Sequence, residues 1–169
     1  MPAGKTYTPL ATTTLSSAAA SVTFSSISSS YTDLLIIANV KQTTSNNSLR
    51  FRFNSDTGTN YSSTYVYGNG TSAISGRESS ISSGYAVYTS SNTSLEMMAQ
   101  FHILNYANNT TYKTTIGRGA RASEMADATV SLWRSTSAIT SISLAAGAGF
   151  PTNNFDTGST FTLYGIKAA

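Results

Sequence analysis

Apolar and polar residues alternate with a period of two along most of this chain, the spacing of a strand with one buried face. The clearest run is Ser48 to Phe53, where Leu49, Phe51 and Phe53 fall on one side and Arg50 and Arg52 on the other. Leu95 to Ile103 repeats it, with Leu95, Met97, Ala99, Phe101 and Ile103 opposite Glu96, Gln100 and His102. Looser versions occupy Ala20 to Phe24, Leu34 to Val40, Tyr61 to Tyr67, Tyr85 to Tyr88, Tyr112 to Ile116, Thr129 to Trp133, Ile139 to Leu144 and Thr160 to Ile166. Turn residues separate them, and Asn69-Gly70 after Tyr65-Val66-Tyr67 is a strong hairpin signal. The best helical candidate is Ala122 to Ala128, long enough for one or two turns.

About ten short strands in one domain predict an all-β protein. The expected architecture is a single antiparallel β-sandwich, jelly-roll-like, with at most one short helix; a closed barrel is the alternative. Residues 1–6 read as a flexible N-terminal arm and 7–169 as the sandwich domain. The expected core is Leu49, Phe51, Phe53, Phe101, Ile103, Leu132, Ile142, Phe161 and Leu163.

Composition changes the picture of the surface. The chain has 169 residues, of which 10% are charged, with a net charge of +3; soluble domains run near ~25% charged. Counting gives 29 Ser and 26 Thr. Hydroxyls therefore replace ions as the solvating groups, and they disfavour long helices by competing for backbone hydrogen bonds. There is no cysteine and one histidine, which excludes thiolate and histidine-rich metal sites. The excess of positive charge is too small to predict nucleic-acid binding. The longest apolar run, Leu34 to Ala38, is far below a bilayer span, and the N-terminus lacks the apolar region of a secretory signal. The expectation is a protein made in a cytoplasm, with no membrane and no nucleic-acid partner.

Few residues read as chemistry. Asp-Thr-Gly occurs twice, at Asp56 and Asp156, the tripeptide that supplies paired carboxylates in pepsin-like proteases. Here Asp56 follows Asn54-Ser55 and Asp156 follows Asn153-Asn154-Phe155 instead of an apolar strand, so ordinary turns are the better reading. His102 faces away from the apolar set of its strand and has no acid beside it in sequence. Six Asn-x-Ser/Thr sequons, starting at Asn46, Asn60, Asn69, Asn92, Asn108 and Asn109, follow from composition alone. Lys113, Arg118 and Arg121 form a local basic cluster, either a solvated loop or a grip for an acidic partner. Tyr61, Tyr65 and Tyr67 either pack across strands or stack on sugar rings. The expectation is no enzyme, no metal and no cofactor.

Several strings read together carry a resemblance. They are Tyr7-Thr8-Pro9-Leu10-Ala11-Thr12-Thr13-Thr14-Leu15, Leu49-Arg50-Phe51-Arg52-Phe53-Asn54, Tyr67-Gly68-Asn69-Gly70, Leu132-Trp133 and Gly158-Ser159-Thr160-Phe161-Thr162-Leu163-Tyr164-Gly165-Ile166. In this order the chain resembles a family of tailed-bacteriophage virion structural proteins. The resemblance implies a non-enzymatic structural protein on the particle surface, either a capsid decoration (cement) protein or a tail or fibre component. Its partners would be capsid or tail subunits and copies of itself. A carbohydrate-binding module for host surface glycans is the alternative function. With four Lys and three Pro, the sheet edges lack their usual gatekeepers, so a homo-oligomer is expected, a trimer by analogy with phage appendages. Thr6 to Leu15 is the expected strand or tether that engages the neighbour.

Overall fold

A computed structural model describes residues 6–44, 47–91, 95–122, 124–147 and 149–167, and among them the alternating segments form twelve antiparallel strands and no helix. Eight make one sheet. In spatial order they are β1 (Tyr7–Thr14), β12 (Thr160–Ile166), β3 (Asp33–Val40), β8 (Met97–Ile103), β9 (Lys113–Arg121), β10 (Met125–Trp133), β5 (Tyr61–Gly68) and β6 (Ala73–Ile81). The other four, β2 (Ser21–Phe24), β11 (Ile142–Ala146), β4 (Asn47–Phe53) and β7 (Gly84–Ser91), form a second sheet.

The chain passes repeatedly between the sheets. Across the sandwich, β7 of the small sheet packs on β8, β9, β10 and β5 of the large one. β1 and β12 widen the large sheet beyond β3. The expected all-β sandwich is therefore the fold.

The core lies between the layers where alternation is strongest. Leu49, Phe51 and Phe53 of β4 meet Ile36 of β3 and Phe101 of β8, all almost fully buried. Phe51 is the hub, with ring centroids 4.5 Å from Phe53, 4.7 Å from Phe101 and 5.8 Å from Tyr61. Of the expected core, only Leu132 is misplaced. It is half-buried on the outer face of β10, and its neighbour Trp133 enters the core instead.

One local expectation needs correction. Ala122 to Ala128 is not helical over its described residues: a turn closed by Glu124 N to Arg121 O (3.1 Å) leads into β10. Ser123 and residues 1–5 of the expected arm lie outside the described residues, as do Asn46 and Asn92. Thr6 is already tied to the sheet, because its carbonyl accepts from Lys167 N at 3.1 Å. Tyr7–Thr14 pairs with the chain's own β12 and forms an edge strand of the large sheet. The Asn69-Gly70 hairpin forms as expected, with Gly70 at φ +86°. Asn69 Oδ1 accepts there from the amides of Thr71 and Ser72.

Candidate functional site

The pleat assigns alternate residues of β9 and β10 to opposite faces, and here the usual polarity is reversed. The inner positions of β10 are Asp127, Thr129, Ser131 and Trp133, while Ala126, Ala128, Val130 and Leu132 face outward. On β9 the inner positions include Thr115, Gly117 and Gly119, and Ile116 and Ala120 point out. Small residues inside let the β7 backbone settle close to the large sheet. Side chains from that sheet then satisfy the β7 backbone. Tyr85 N donates to Ser63 Oγ (3.0 Å), Ser131 Oγ donates to Tyr85 O (2.8 Å), and Thr89 N donates to Asp127 Oδ2.

The consequence is an outer sheet face with an apolar centre. Cross-strand register lines up Leu35, His102, Ile116, Val130 and Thr64 in one row, and Ile37, Gln100, Arg118, Ala128 and Val66 in the next. Val130 and Val66 are each 49% exposed and Met98 is 51% exposed. Among the described strand residues, the ionic groups across the middle of this face are Arg118 and Arg77. Asp33, beside His102, and Glu96 mark its two ends. A shallow apolar dimple of about 350 Å³ lies between Ile37, Met98 and Ala120, with Arg118 at its rim. This face is the candidate functional surface.

The residues singled out by sequence fall elsewhere or apart. Lys113, Arg118 and Arg121 do not form one cluster. Lys113 is buried, its Nζ donating to the carbonyls of Thr111 (2.8 Å) and Thr136 (3.0 Å), and burial lowers its pKa. Arg121 pairs with Glu124 at 2.5 Å. Arg118 alone reaches the outer face.

Tyr61 is fully buried and has no ring face to offer a sugar; its hydroxyl accepts from Phe53 N at 3.0 Å. Tyr65 and Tyr67 are half-buried and stack on Tyr88 of β7, at centroid distances of 3.6 and 5.2 Å. The hydrogen bond with Tyr65, followed by burial, pushes the Tyr88 hydroxyl up to about 12. Beside them Glu78 Oε1 accepts from the Tyr85 hydroxyl at 2.6 Å, and the Arg50 guanidinium lies 3.9 Å over the Tyr85 ring. This network latches β6 to the small sheet, so these tyrosines close the sandwich.

Three of the four sheet edges, all but β6, are handled within the chain. β1 carries Pro9 and a bulge between Pro9 and Ala11, β2 has four residues, and β7 is capped by the side chains described above. These are devices that blunt sheet edges.

His102 Nε2 lies 3.3 Å from Asp33 Oδ2 at the margin of the outer face, and Asp33 Oδ1 accepts from Asn105 N at 2.6 Å. Asp56 and Asp156 have no partner in common. Asp156 accepts from Thr157 N and lies 3.9 Å from Lys41 Nζ. Asp56 knits the turn after β4 to Trp133, accepting from Trp133 Nε1 (2.7 Å), Gly58 N (2.8 Å) and Asn60 Nδ2 (2.9 Å). Among the described residues no three His, Asp or Glu side chains come together.

Burial pushes the Asp56 carboxyl up, but these hydrogen bonds and Arg52 outweigh it and hold it below its ordinary 3.8. A depressed carboxylate stabilises the fold above its unfolded pKa, and that contribution is lost as pH falls through the folded value. Asp56→Asn should therefore cost about 1.5–3 kcal/mol at neutral pH, the range for hydrogen bonds to a charged group. Urea melts across a pH series check it. The gap between variant and wild type should close below about pH 4; a gap that persists at low pH would contradict the assignment.

Comparison of the chain with family models, with curated proteins and with solved structures returned no match.

Proposed function

We propose that this chain is a non-catalytic structural component of a bacteriophage particle, seated on neighbouring virion subunits through the outer face of its eight-stranded sheet. The observation that supports this reading is the inverted pattern of β9 and β10. A strand pair that turns Thr, Ser and Gly inward and Ile116, Val130 and Leu132 outward leaves apolar surface that a second protein can bury. An exposed apolar patch of this breadth marks an interaction surface. The low charge density removes the repulsion that keeps copies apart. With β1, β2 and β7 blunted within the chain, this face is the broader surface for contact with capsid, tail or sister subunits. The resemblance noted in the sequence supplies the phage setting. Asp56, Glu78, Asp127 and Lys113 are occupied in holding the fold, which supports a role without catalysis.

Ile116→Glu combined with Val130→Glu tests the docking. Both side chains are about half exposed but sit directly opposite each other, so the two carboxylates repel and the pair should cost on the order of 1 kcal/mol, which thermal melts of the variant monitor. Burying two unpaired carboxylates at an interface should lower incorporation into particles by at least about tenfold. Mass spectrometry of particles assembled with each form measures it. Wild-type incorporation of the double variant would overturn the assignment of the face.

A further inference from the structure

At the end of the sandwich opposite the tyrosine latch, β1 of the large sheet and β2 of the small sheet stand on either side of a cleft of about 430 Å³. That volume falls within the range of small-ligand sites. Leu10, Phe24, Ile27 and Leu163 give it an apolar floor, and Thr13 with the serines at 25, 26, 28 and 30 contributes hydroxyls to its lining. None of its lining residues is charged.

Tyr31 forms part of the wall. Its ring lies flat against the backbone at Gly165, where a Cβ would come within 2.5 Å of Tyr31 Cγ and Cδ1. Glycine is required there for the ring to seat. Around it, Tyr106 OH donates to Ser28 O, Tyr31 N donates to Tyr106 OH (3.4 Å), and Ser28 Oγ donates to Ser30 Oγ (2.9 Å). The loop is thus braced against the sandwich.

We infer that this cleft binds a neutral saccharide unit, its ring packed on Tyr31 and its hydroxyls paired with the Ser and Thr hydroxyls of the rim. An uncharged wall leaves no partner for a phosphate, carboxylate or ammonium group, and a charge buried there would be uncompensated. Hydroxyls both donate and accept, which suits the mixed donors and acceptors of a sugar and is wasted on a purely apolar chain. An aromatic ring beside apolar floor residues fits the C–H face of a pyranose. An extended peptide is the competing occupant, since two sheet edges border the cleft. Pro9 and the bulge interrupt one edge, and the other is four residues long, so neither offers a continuous ladder.

The inference goes beyond the docking role and uses none of its residues. The test is saturation-transfer NMR and titration of the full chain with glucose, galactose, mannose, N-acetylglucosamine and their disaccharides. Glucuronic and sialic acids serve as charged controls. At least one neutral sugar should bind and both acids should not. Thr13→Glu, which places a charge in the wall from a half-buried edge position, should weaken binding by at least about tenfold. Tyr31→Ala should do the same, with circular dichroism confirming its fold, and Tyr67→Ala should leave binding unchanged. Ile116→Glu/Val130→Glu should also leave it unchanged, which separates this site from the docking face. Absence of any neutral-sugar binding, equal binding of the acids, binding indifferent to Thr13→Glu, or binding of a neutral peptide or fatty chain in place of sugars would each overturn it.

Discussion

Gly117→Ala should be the most damaging single substitution in this protein, costing more than about 4 kcal/mol and leaving little folded chain. Gly117 occupies an inner position of β9, directly beneath the β7 backbone. A Cβ there would fall inside the van der Waals envelope of the Ala86 carbonyl oxygen. A flexible side chain could swing away from such a clash, but a strand backbone cannot. To admit one methyl group, β7 would have to lift off the large sheet. That would strain the bonds of Tyr85 N to Ser63, Ser131 Oγ to Tyr85 O, and Thr89 N to Asp127. Buried amides left without partners add their own desolvation cost. Gly68→Ala is the control: its Cβ would meet only Ser72 O, at 3.9 Å, and should shift stability by no more than about 0.5 kcal/mol. Urea denaturation followed by circular dichroism compares the two. A Gly117→Ala protein with a midpoint near wild type would mean that β7 does not approach β9 so closely.

Phe51→Ala should cost about 3–5 kcal/mol, from lost transfer free energy plus the cavity left behind. Phe51 is fully buried and touches the rings of Phe53, Phe101 and Tyr61. It also covers Gly84, where a Cβ would lie 2.6 Å from Phe51 Cε1. The hole would open between β4 of one sheet and β8 of the other, where neither layer can collapse without moving the other. A measured loss under about 1 kcal/mol would place Phe51 on the wrong face of its strand.

The readability of this fold from sequence depended on the strand. Ser48 to Phe53 and Leu95 to Ile103 alternate cleanly because each has one face on the aromatic core. β6 shows no such signal because it is an edge strand, and Ser75-Gly76-Arg77-Glu78-Ser79-Ser80 has no apolar period. On β10, alternation identified two faces but could not say which turns inward. Reading the apolar set as core puts Leu132 inside, where the structure puts Trp133. The same pleat separated Arg118 from Lys113 and Arg121, which closeness in sequence had grouped.

Tyr61, Tyr65 and Tyr67 do share a face, but the depth of each depends on how far β7 extends over it, which no local pattern encodes. The candidate docking face was invisible for a related reason. Its rows join Leu35, His102, Ile116 and Val130 from four strands whose neighbours are set by topology. The β1–β2 cleft draws Leu10, Phe24, Tyr31 and Leu163 from opposite ends of the chain. No spacing in the sequence brings them together.

The central claim is that the outer face of the eight-stranded sheet is buried against a neighbouring subunit. Cryo-electron microscopy of intact phage particles carrying this chain tests it most directly. The account predicts density from another subunit packed over Ile37, Met98, Ile116, Val66 and Val130, with a carboxylate of that subunit near Arg118. Particles in which this face opens to solvent and the chain is held through other surfaces, or particles that lack the chain altogether, would contradict it.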